Sequence, residues 1–358
     1  MKLKFRYIIV LLAIAASLSA CSNWTEPEAL DLDYVKGTDE RDFAALRAYK
    51  ASDHQITYGW FSEWTGEGAG LKNSLIGIPD SMDMVSIWIT AFQLNDAKRK
   101  DLADVKRRGT RVLACISDSD VGSYLTPEGE DRNTYWKINE IGWEEASYNY
   151  GKAIGKWVLE NGYDGIDYDF EPNFGHTGTL SSHPTRVQKF IEGLAVYLGP
   201  KARGEGISPM AGGKVLMVDG EPQTLREECG PLIDYYNIQA YYCTSYTDLD
   251  GRLERLCNTF KNVESKEEVI RKLIWSEDFE RYQNSAGASH VMRDGTHTES
   301  LYGMAQYHYP GVADDVKIAG VGAYRFNLHR SVNDYTVMRN VIQIMNPAQS
   351  VDAGSDEE

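Results

Sequence analysis

The sequence predicts an α/β chain folded as a single (β/α)8 TIM barrel. Short runs rich in β-branched and aromatic residues alternate with segments of helical periodicity along the chain. Eight such runs can be marked, and a chain of 358 residues suits an α/β barrel better than an average domain. Alternation implies a parallel sheet, because each crossover helix returns the chain to start the next strand in the same direction. An open doubly wound sheet is the alternative. It is disfavoured because no Gly-rich phosphate-binding fingerprint follows the first strand.

The predicted strands are Ile56–Phe61, Met84–Phe92, Arg111–Ser117, Tyr163–Glu171, Lys214–Val218, Tyr235–Tyr241, Lys272–Ser276 and Ile318–Phe326. Between them, residues 141–161 place Trp143, Ala146, Tyr150, Ala153 and Trp157 on one helical face, with Gly162 as the C-terminal stop. A second helix starts at Pro184 and aligns Val187, Phe190, Ile191, Leu194 and Leu198. A weaker one spans 95–108 with Asn95 as its cap, and the last lies near 333–345. The stretches 62–80, 118–138, 172–184, 242–258 and 277–300 read as the loops that would set specificity.

The chain ends read differently. Lys2, Lys4 and Arg6 precede an apolar run over 7–20 that closes on small residues, as in a secretory signal. Leu18-Ser19-Ala20-Cys21 resembles a bacterial lipobox. That resemblance implies cleavage after residue 20, lipidation of Cys21 and a membrane anchor without a spanning helix. The expected organisation is a signal peptide (1–20), an acidic tether (21–38), one catalytic domain (39–350) and an acidic tail (351–358). The expected location is outside the cytoplasm on a bacterial membrane, the outer one, exposed at the cell surface.

Removing residues 1–20 from the 358-residue chain leaves 338 and takes the formal charge from −16 to −19. Such a surface repels phosphate backbones, so nucleic acid is excluded as a partner. Cys115 reads as a buried thiol, and a disulfide among Cys229, Cys243 and Cys257 is left open. No Cys or His spacing suits zinc, the seven histidines are scattered, and no metal or cofactor is expected.

The chemistry concentrates in Asp164-Gly165-Ile166-Asp167-Tyr168-Asp169-Phe170-Glu171-Pro172. A strand has period two, so Asp167, Asp169 and Glu171 share one face while Ile166, Tyr168 and Phe170 share the other. Pro172 cannot donate to the sheet and ends the strand just past Glu171. That is the end of a barrel strand where catalytic residues collect. Inward carboxylates repel one another and lose hydration, so at least one keeps its proton near neutral pH, as a general acid requires. A solvated strand face and a divalent-metal site are the competing readings. Neither accounts for the strict alternation with bulky apolar residues.

The Asp164-x-x-Asp167-x-Asp169-x-Glu171 pattern resembles the signature of glycoside hydrolase family 18, which holds chitinases and endo-β-N-acetylglucosaminidases. The resemblance implies substrate-assisted catalysis, an exception to the usual two-carboxylate scheme. Glu171 would protonate the glycosidic oxygen and Asp169 would hold the 2-acetamido N–H. Asp167 would buffer the charge on Asp169, and Asp164, on the other parity, would be structural. On the sixth strand, Gln239-Ala240-Tyr241 resembles the Gln-x-Tyr of the endoglycosidase branch, where chitinases carry Met-x-Tyr-Asp. Tyr241 would then donate to the acetamide oxygen, and Gln239 would contact the same sugar.

Two departures from the chitinase pattern are evident. The third strand reads Cys115-Ile116-Ser117-Asp118-Ser119, without Ser-x-Gly-Gly, and Tyr324 stands where many members place a tryptophan. Trp60, Trp64 and Trp88 lie in or after early strands and could stack on sugar rings; Trp64 is the candidate sugar platform, and Trp88 reads rather as core. The expected activity is hydrolysis of the chitobiose core of N-glycans, with an N-acetylglucosamine-containing glycan or glycoprotein as partner. An inactive glycan-binding barrel and a chitinase are the alternatives.

Overall fold

A computed structural model describes residues 40–347, apart from 69, 70, 118 and 205, with side chains from Phe43 onward. The expected signal peptide, Cys21, the tether and the tail lie outside the described residues.

Eight parallel strands close into a barrel. They are β1 (Ile56–Phe61), β2 (Met84–Ile87), β3 (Arg111–Ile116), β4 (Gly165–Phe170), β5 (Val215–Gly220), β6 (Tyr235–Gln239), β7 (Leu273–Asp278) and, after a small hairpin of β8 (Ser289–Val291) and β9 (His297–Glu299), β10 (Gly320–Tyr324). The barrel closes where β1 pairs with β10, Ile56 opposite Gly320. The (β/α)8 TIM barrel predicted from the alternation is therefore the fold.

Strand parity separates two apolar layers. Outward residues such as Val85, Val112, Ile166, Tyr168, Phe170 and Val218 pack under the helices. Inward residues Ile56, Tyr58, Trp60, Met84, Leu113, Cys115, Val215, Met217 and Ile274 fill the barrel from its lower end. This is the two-sided burial expected of a parallel sheet.

Helix α1 (Glu40–Ala51) precedes the barrel, and α2 (Asp96–Lys106) starts on Asn95, whose side chain accepts the Lys98 N–H. Helix α3 (Trp143–Glu160) buries Ala146, Tyr150, Ile154 and Val158, and Gly162 takes the left-handed conformation just past its end, at φ +78°. Helix α4 (Pro184–Leu194) buries Val187, Phe190, Ile191 and Leu194. Helix α5 (Tyr246–Phe260) corrects the expectation of a loop over 242–258. Its Leu249, Leu253, Leu256 and Phe260 recur at helical spacing and are buried, and Ser245 caps it through the Asp248 N–H. Helix α6 (Thr336–Met345) closes the set. The loop expected over 277–300 contains the β8–β9 hairpin.

Strand ends differ from expectation in a way that matters for the site. The fifth strand runs two residues further, to Gly220, and so includes Asp219. The second and sixth stop at Ile87 and Gln239, because the chain turns through left-handed residues at Ile89 (φ +65°) and Tyr242 (φ +62°). Cys115, Cys229, Cys243 and Cys257 are all free and buried, so no disulfide joins them. No helix among the described residues is long and apolar enough to cross a membrane.

The lower end is braced by charge. Asp164 is buried, ion-paired with Lys106 at 2.9 Å and Lys214 at 3.4 Å, and accepts the Val112 N–H. Its structural role follows from that position. On β10, Gly322 faces inward and leaves room for Tyr58. A Cβ there would lie 2.6 Å from Tyr58 Cδ1. The Gly322→Ala variant is therefore expected to lose about 1–3 kcal/mol to overpacking, read as a lowered thermal midpoint. An unchanged midpoint would show that the ring is not confined there.

Candidate active site

At the carboxyl end of the barrel lies a cavity of about 760 Å³. Its floor and walls include Trp60, Trp88, Asp169, Glu171, His176, Gln239, Tyr241 and Tyr324. The strand alternation of β4 puts Asp167 deepest, Asp169 above it and Glu171 at the mouth. Exposure follows that order: Asp167 is fully buried, Asp169 is 2 % exposed and the Glu171 side chain is 19 % exposed.

Asp167 lies below the cavity. Its Oδ2 accepts the Tyr58 hydroxyl at 2.6 Å and the Ser86 hydroxyl at 2.8 Å. Buried beneath Asp169 and absent from the cavity lining, Asp167 is placed to act on the charge of Asp169 and not to bind substrate, which corrects any assignment of it as a substrate-binding residue. The neighbour that completes this arrangement is Asp219 on β5, in register with Asp169 on β4. Asp219 lies against both Asp167 and Asp169, and the charge of each acts on it. Gln239 Nε2 spans Asp169 Oδ1 at 3.4 Å and Asp219 Oδ1 at 3.3 Å.

Three carboxyl groups this close cannot all ionise. Asp167 Oδ1, Asp169 Oδ2 and Asp219 Oδ2 are buried and receive no N–H or O–H from other residue types. Protons held within the trio are what satisfies them. Burial, then the charges of Asp167 and Asp169, push Asp219 well above the usual carboxylate range. Burial also raises Asp169, to about 7, with the Asp219 hydrogen bond opposing and the Glu171 charge adding.

Glu171 is tuned separately. Burial raises its pKa, the His176 imidazole opposes the rise, and Glu221 adds to it. His176 arrives through a tight turn in which the Phe174 and His176 N–H groups both donate to the Glu171 carbonyl. Its Nε2 lies 3.8 Å from Glu171 Oε2 and its Nδ1 lies 4.0 Å from Asp169 Oδ2. His176 thus lines the cavity beside both acids, a placement that the scattered histidines of the sequence did not signal. Glu221 fixes the same turn, accepting the Asn173 N–H at 2.8 Å and its side-chain amide at 3.1 Å.

Tyr241 faces the carboxylates from beyond the end of β6. Burial and the charges of Asp219 and Asp169 hold its phenol pKa well above 10, so it remains a donor. Tyr324 closes the far wall, edge-on to Trp88 at 5.5 Å and to Trp60 at 6.1 Å between ring centroids. The tryptophan assignments are reversed. Trp64 lies in the outer core, 2 % exposed, with its indole N–H donated to Asp101 at 2.8 Å, and it does not line the cavity. Trp88, read as core, is partly exposed on the cavity wall. Loop geometry after β1 decides this: Trp64 falls past the strand end, where the chain bends back over α2.

The structure thus unites Glu171, Asp169, Gln239, Tyr241 and Tyr324 with Trp60 and Trp88, and adds Asp219, His176 and Glu221. Asp219 was legible in principle, since it shares the parity of Val215 and Met217 at a strand's carboxyl end. His176 and Glu221 carried no such signal. Asp169, Glu171 and His176 offer donor atoms within 4.8 Å of one another and are the groups by which the cavity would hold a cation.

Shared burial makes stability depend on pH. A carboxyl raised from 3.8 to about 7, as Asp169 is, favours the folded state below pH 4, and that contribution is lost as pH rises toward 7. Asn at position 219 donates without ionising. Asp219→Asn is therefore expected to raise the thermal midpoint at pH 8 by about 3 °C and to flatten its decline between pH 5 and 8. A parallel decline in both proteins would disprove proton sharing.

Residues 25–351 match the model of glycoside hydrolase family 18, BT1044-like. Endo-β-N-acetylglucosaminidase F2 of Elizabethkingia meningoseptica is 29 % identical over 220 residues, which are 58 % of this chain and 57 % of that protein. The match thus spans less than two thirds of that relative. The solved structure of a selenomethionine BT1044 variant superposes with a TM-score of 0.73 at 27 % identity, covering 86 % of this chain and 93 % of the other. A Cordyceps militaris endo-β-N-acetylglucosaminidase shares the fold, with a TM-score of 0.56 and 22 % identity over 85 % and 95 % of the two chains. With its acidic strand opening on a cavity at the carboxyl end of the barrel, the chain belongs to glycoside hydrolase family 18 and is a glycoside hydrolase.

Proposed function

We propose that this enzyme is an endo-β-N-acetylglucosaminidase that cuts the chitobiose core of N-glycans and leaves one N-acetylglucosamine on the protein. The observation that carries the reading is the pairing at the cavity floor. Asp169 is held by Gln239 beside Asp219, its partner in register on β5, one strand step below Glu171. The name of the Elizabethkingia relative supports it.

The reaction runs in two balanced steps. The protonated Glu171 gives its proton to the glycosidic oxygen. The acetamide oxygen of the sugar attacks the anomeric carbon from the opposite face, and the bond to the leaving group breaks. Asp169 accepts the acetamide N–H, which orients the group and offsets the positive charge of the oxazolinium. Tyr241 donates to the acetamide oxygen and steers it. Glu171, now a carboxylate, then takes a proton from water as that water opens the ring, so the configuration is retained. The pKa directions suit these roles: burial moves Glu171 upward, the direction a general acid needs, and Tyr241 is held well above the ordinary phenol range, so it stays a donor. Trp88 and Tyr324 offer aromatic surfaces to the apolar faces of the sugars, and the buried Trp60 packs beneath Tyr324.

Glu171→Gln is expected to lower kcat by about 1,000-fold and leave glycan affinity within a few-fold, since it removes the acid and keeps its shape. Mass measurement of glycans released from high-mannose and complex glycoproteins checks it. Release from no N-glycan class by the native enzyme defeats the reading. Turnover of chitin oligomers alone points to a chitinase, and binding without turnover to a glycan receptor.

The proposal extends to location. An enzyme tethered by lipid at Cys21 on the outer membrane would meet glycoproteins at the cell surface. The order of basic, apolar and small residues before Cys21 supports it. Cys21→Ala is expected to move the protein from the membrane fraction to the soluble one. Retention in the membrane fraction would contradict the anchor.

A further inference from the structure

The turn after β6 carries Tyr241 into the cavity, and its placement raises a question. The Tyr241 ring meets those of Tyr242 and Tyr324, at 6.2 Å and 6.3 Å between centroids, and the backbone of the turn sets where it enters the cavity. That backbone is unusual. Tyr242 adopts a left-handed conformation at φ +62°, which a bulky residue avoids unless its surroundings enforce it.

The enforcing group is on the neighbouring strand. Glu277 lies on the outward face of β7, where Leu273 and Trp275 are apolar core residues. It is fully buried there. Its Oε1 accepts the Tyr242 N–H at 2.9 Å and the Asp278 N–H at 2.8 Å, and its Oε2 accepts the Ser300 hydroxyl. A carboxylate buried in an apolar layer is costly unless it is fully bonded, and this one spends a bond on the strained residue next to Tyr241. The adjacent Asp278 holds the same turn from the cavity side, through the Tyr242 phenol at 2.5 Å.

We infer that Glu277 is a positioning residue that fixes Tyr241 over the acetamide site by holding the left-handed backbone at Tyr242. The inference rests on the reading above that Tyr241 donates to the acetamide oxygen. Glu277 touches no substrate, and its effect passes through one backbone N–H. Glutamine can keep all three bonds: its carbonyl oxygen accepts both N–H groups, and its amide donates to Ser300. Leucine keeps the bulk and loses every bond.

The test uses the full-length enzyme carrying 3-fluorotyrosine at position 241, read by fluorine NMR alongside glycan release. Glu277→Leu is expected to shift or broaden the fluorine signal. It should lower kcat by about 30-fold to 100-fold with KM within about threefold, as for a misplaced catalytic group. Glu277→Gln is expected to restore the native signal and most of the kcat. In the Tyr241→Phe background, Glu277→Leu should add less than about threefold, because both changes disable one group. A native fluorine signal in Glu277→Leu, or losses that multiply in the double variant, overturns the inference. Should Glu277→Leu fail to fold, Glu277→Ser admits water to the Tyr242 N–H and is read in the same way. A shifted signal in a protein whose native form releases no glycan upholds the placement of Tyr241 and defeats the functional reading instead.

Discussion

A shortage of protons among buried acids organises this molecule. Asp167, Asp169 and Asp219 meet inside a barrel where water does not compensate their charge. The hydroxyls of Tyr58 and Ser86 and the amide of Gln239 satisfy only part of their accepting capacity. The remainder must come from protons retained by the carboxyls themselves. Repulsion alone would drive the trio apart. Held by rigid strands, it instead surrounds Asp169 at the cavity floor with one acid beneath it and one beside it. A proton in the wrong place costs about 1.4 kcal/mol for each pKa unit, so small movements of these strands have large consequences.

The same residue types serve a second purpose elsewhere. Buried carboxylates repeatedly accept backbone N–H groups where chain segments meet. At the lower end, Asp83 accepts the Thr57 N–H, Asp164 that of Val112 and Asp234 that of Leu216. Asp101 accepts those of Leu75 and Ile76 under the loop after β1. At the upper end, Glu221 and Glu277 do the same for the turns that deliver His176 and Tyr241. Part of the acidity of the composition is therefore structural. A charged acceptor fixes a backbone donor more firmly than a neutral one, which suits turns that must not drift.

Particular residues show how far the sequence could be read. The inward placement of Asp169 and Glu171 is legible because period-two alternation is a property of a single strand. Helix α5 was taken for a loop because Asp248, Asp250 and Gly251 obscure its apolar spacing, which only its packing reveals. Trp64 and Trp88 were exchanged because both follow early strands. Which one faces the cavity depends on where each strand stops. Asp219 escaped because an acid at the end of an apolar run looks like the first residue of a loop until its strand is paired with β4.

By itself the sequence determined the barrel and the column of acids, together with the parity that turns those acids inward. These follow from local periodicity, which needs no knowledge of neighbours. Only the tertiary structure decided that Asp219 shares protons with that column and that His176 and Glu221 adjust Glu171. It alone decided that Glu277 braces Tyr241 from the far side of the wall. Each of these is a contact between segments distant in the chain, and its existence depends on strand register and loop closure, which no local pattern encodes.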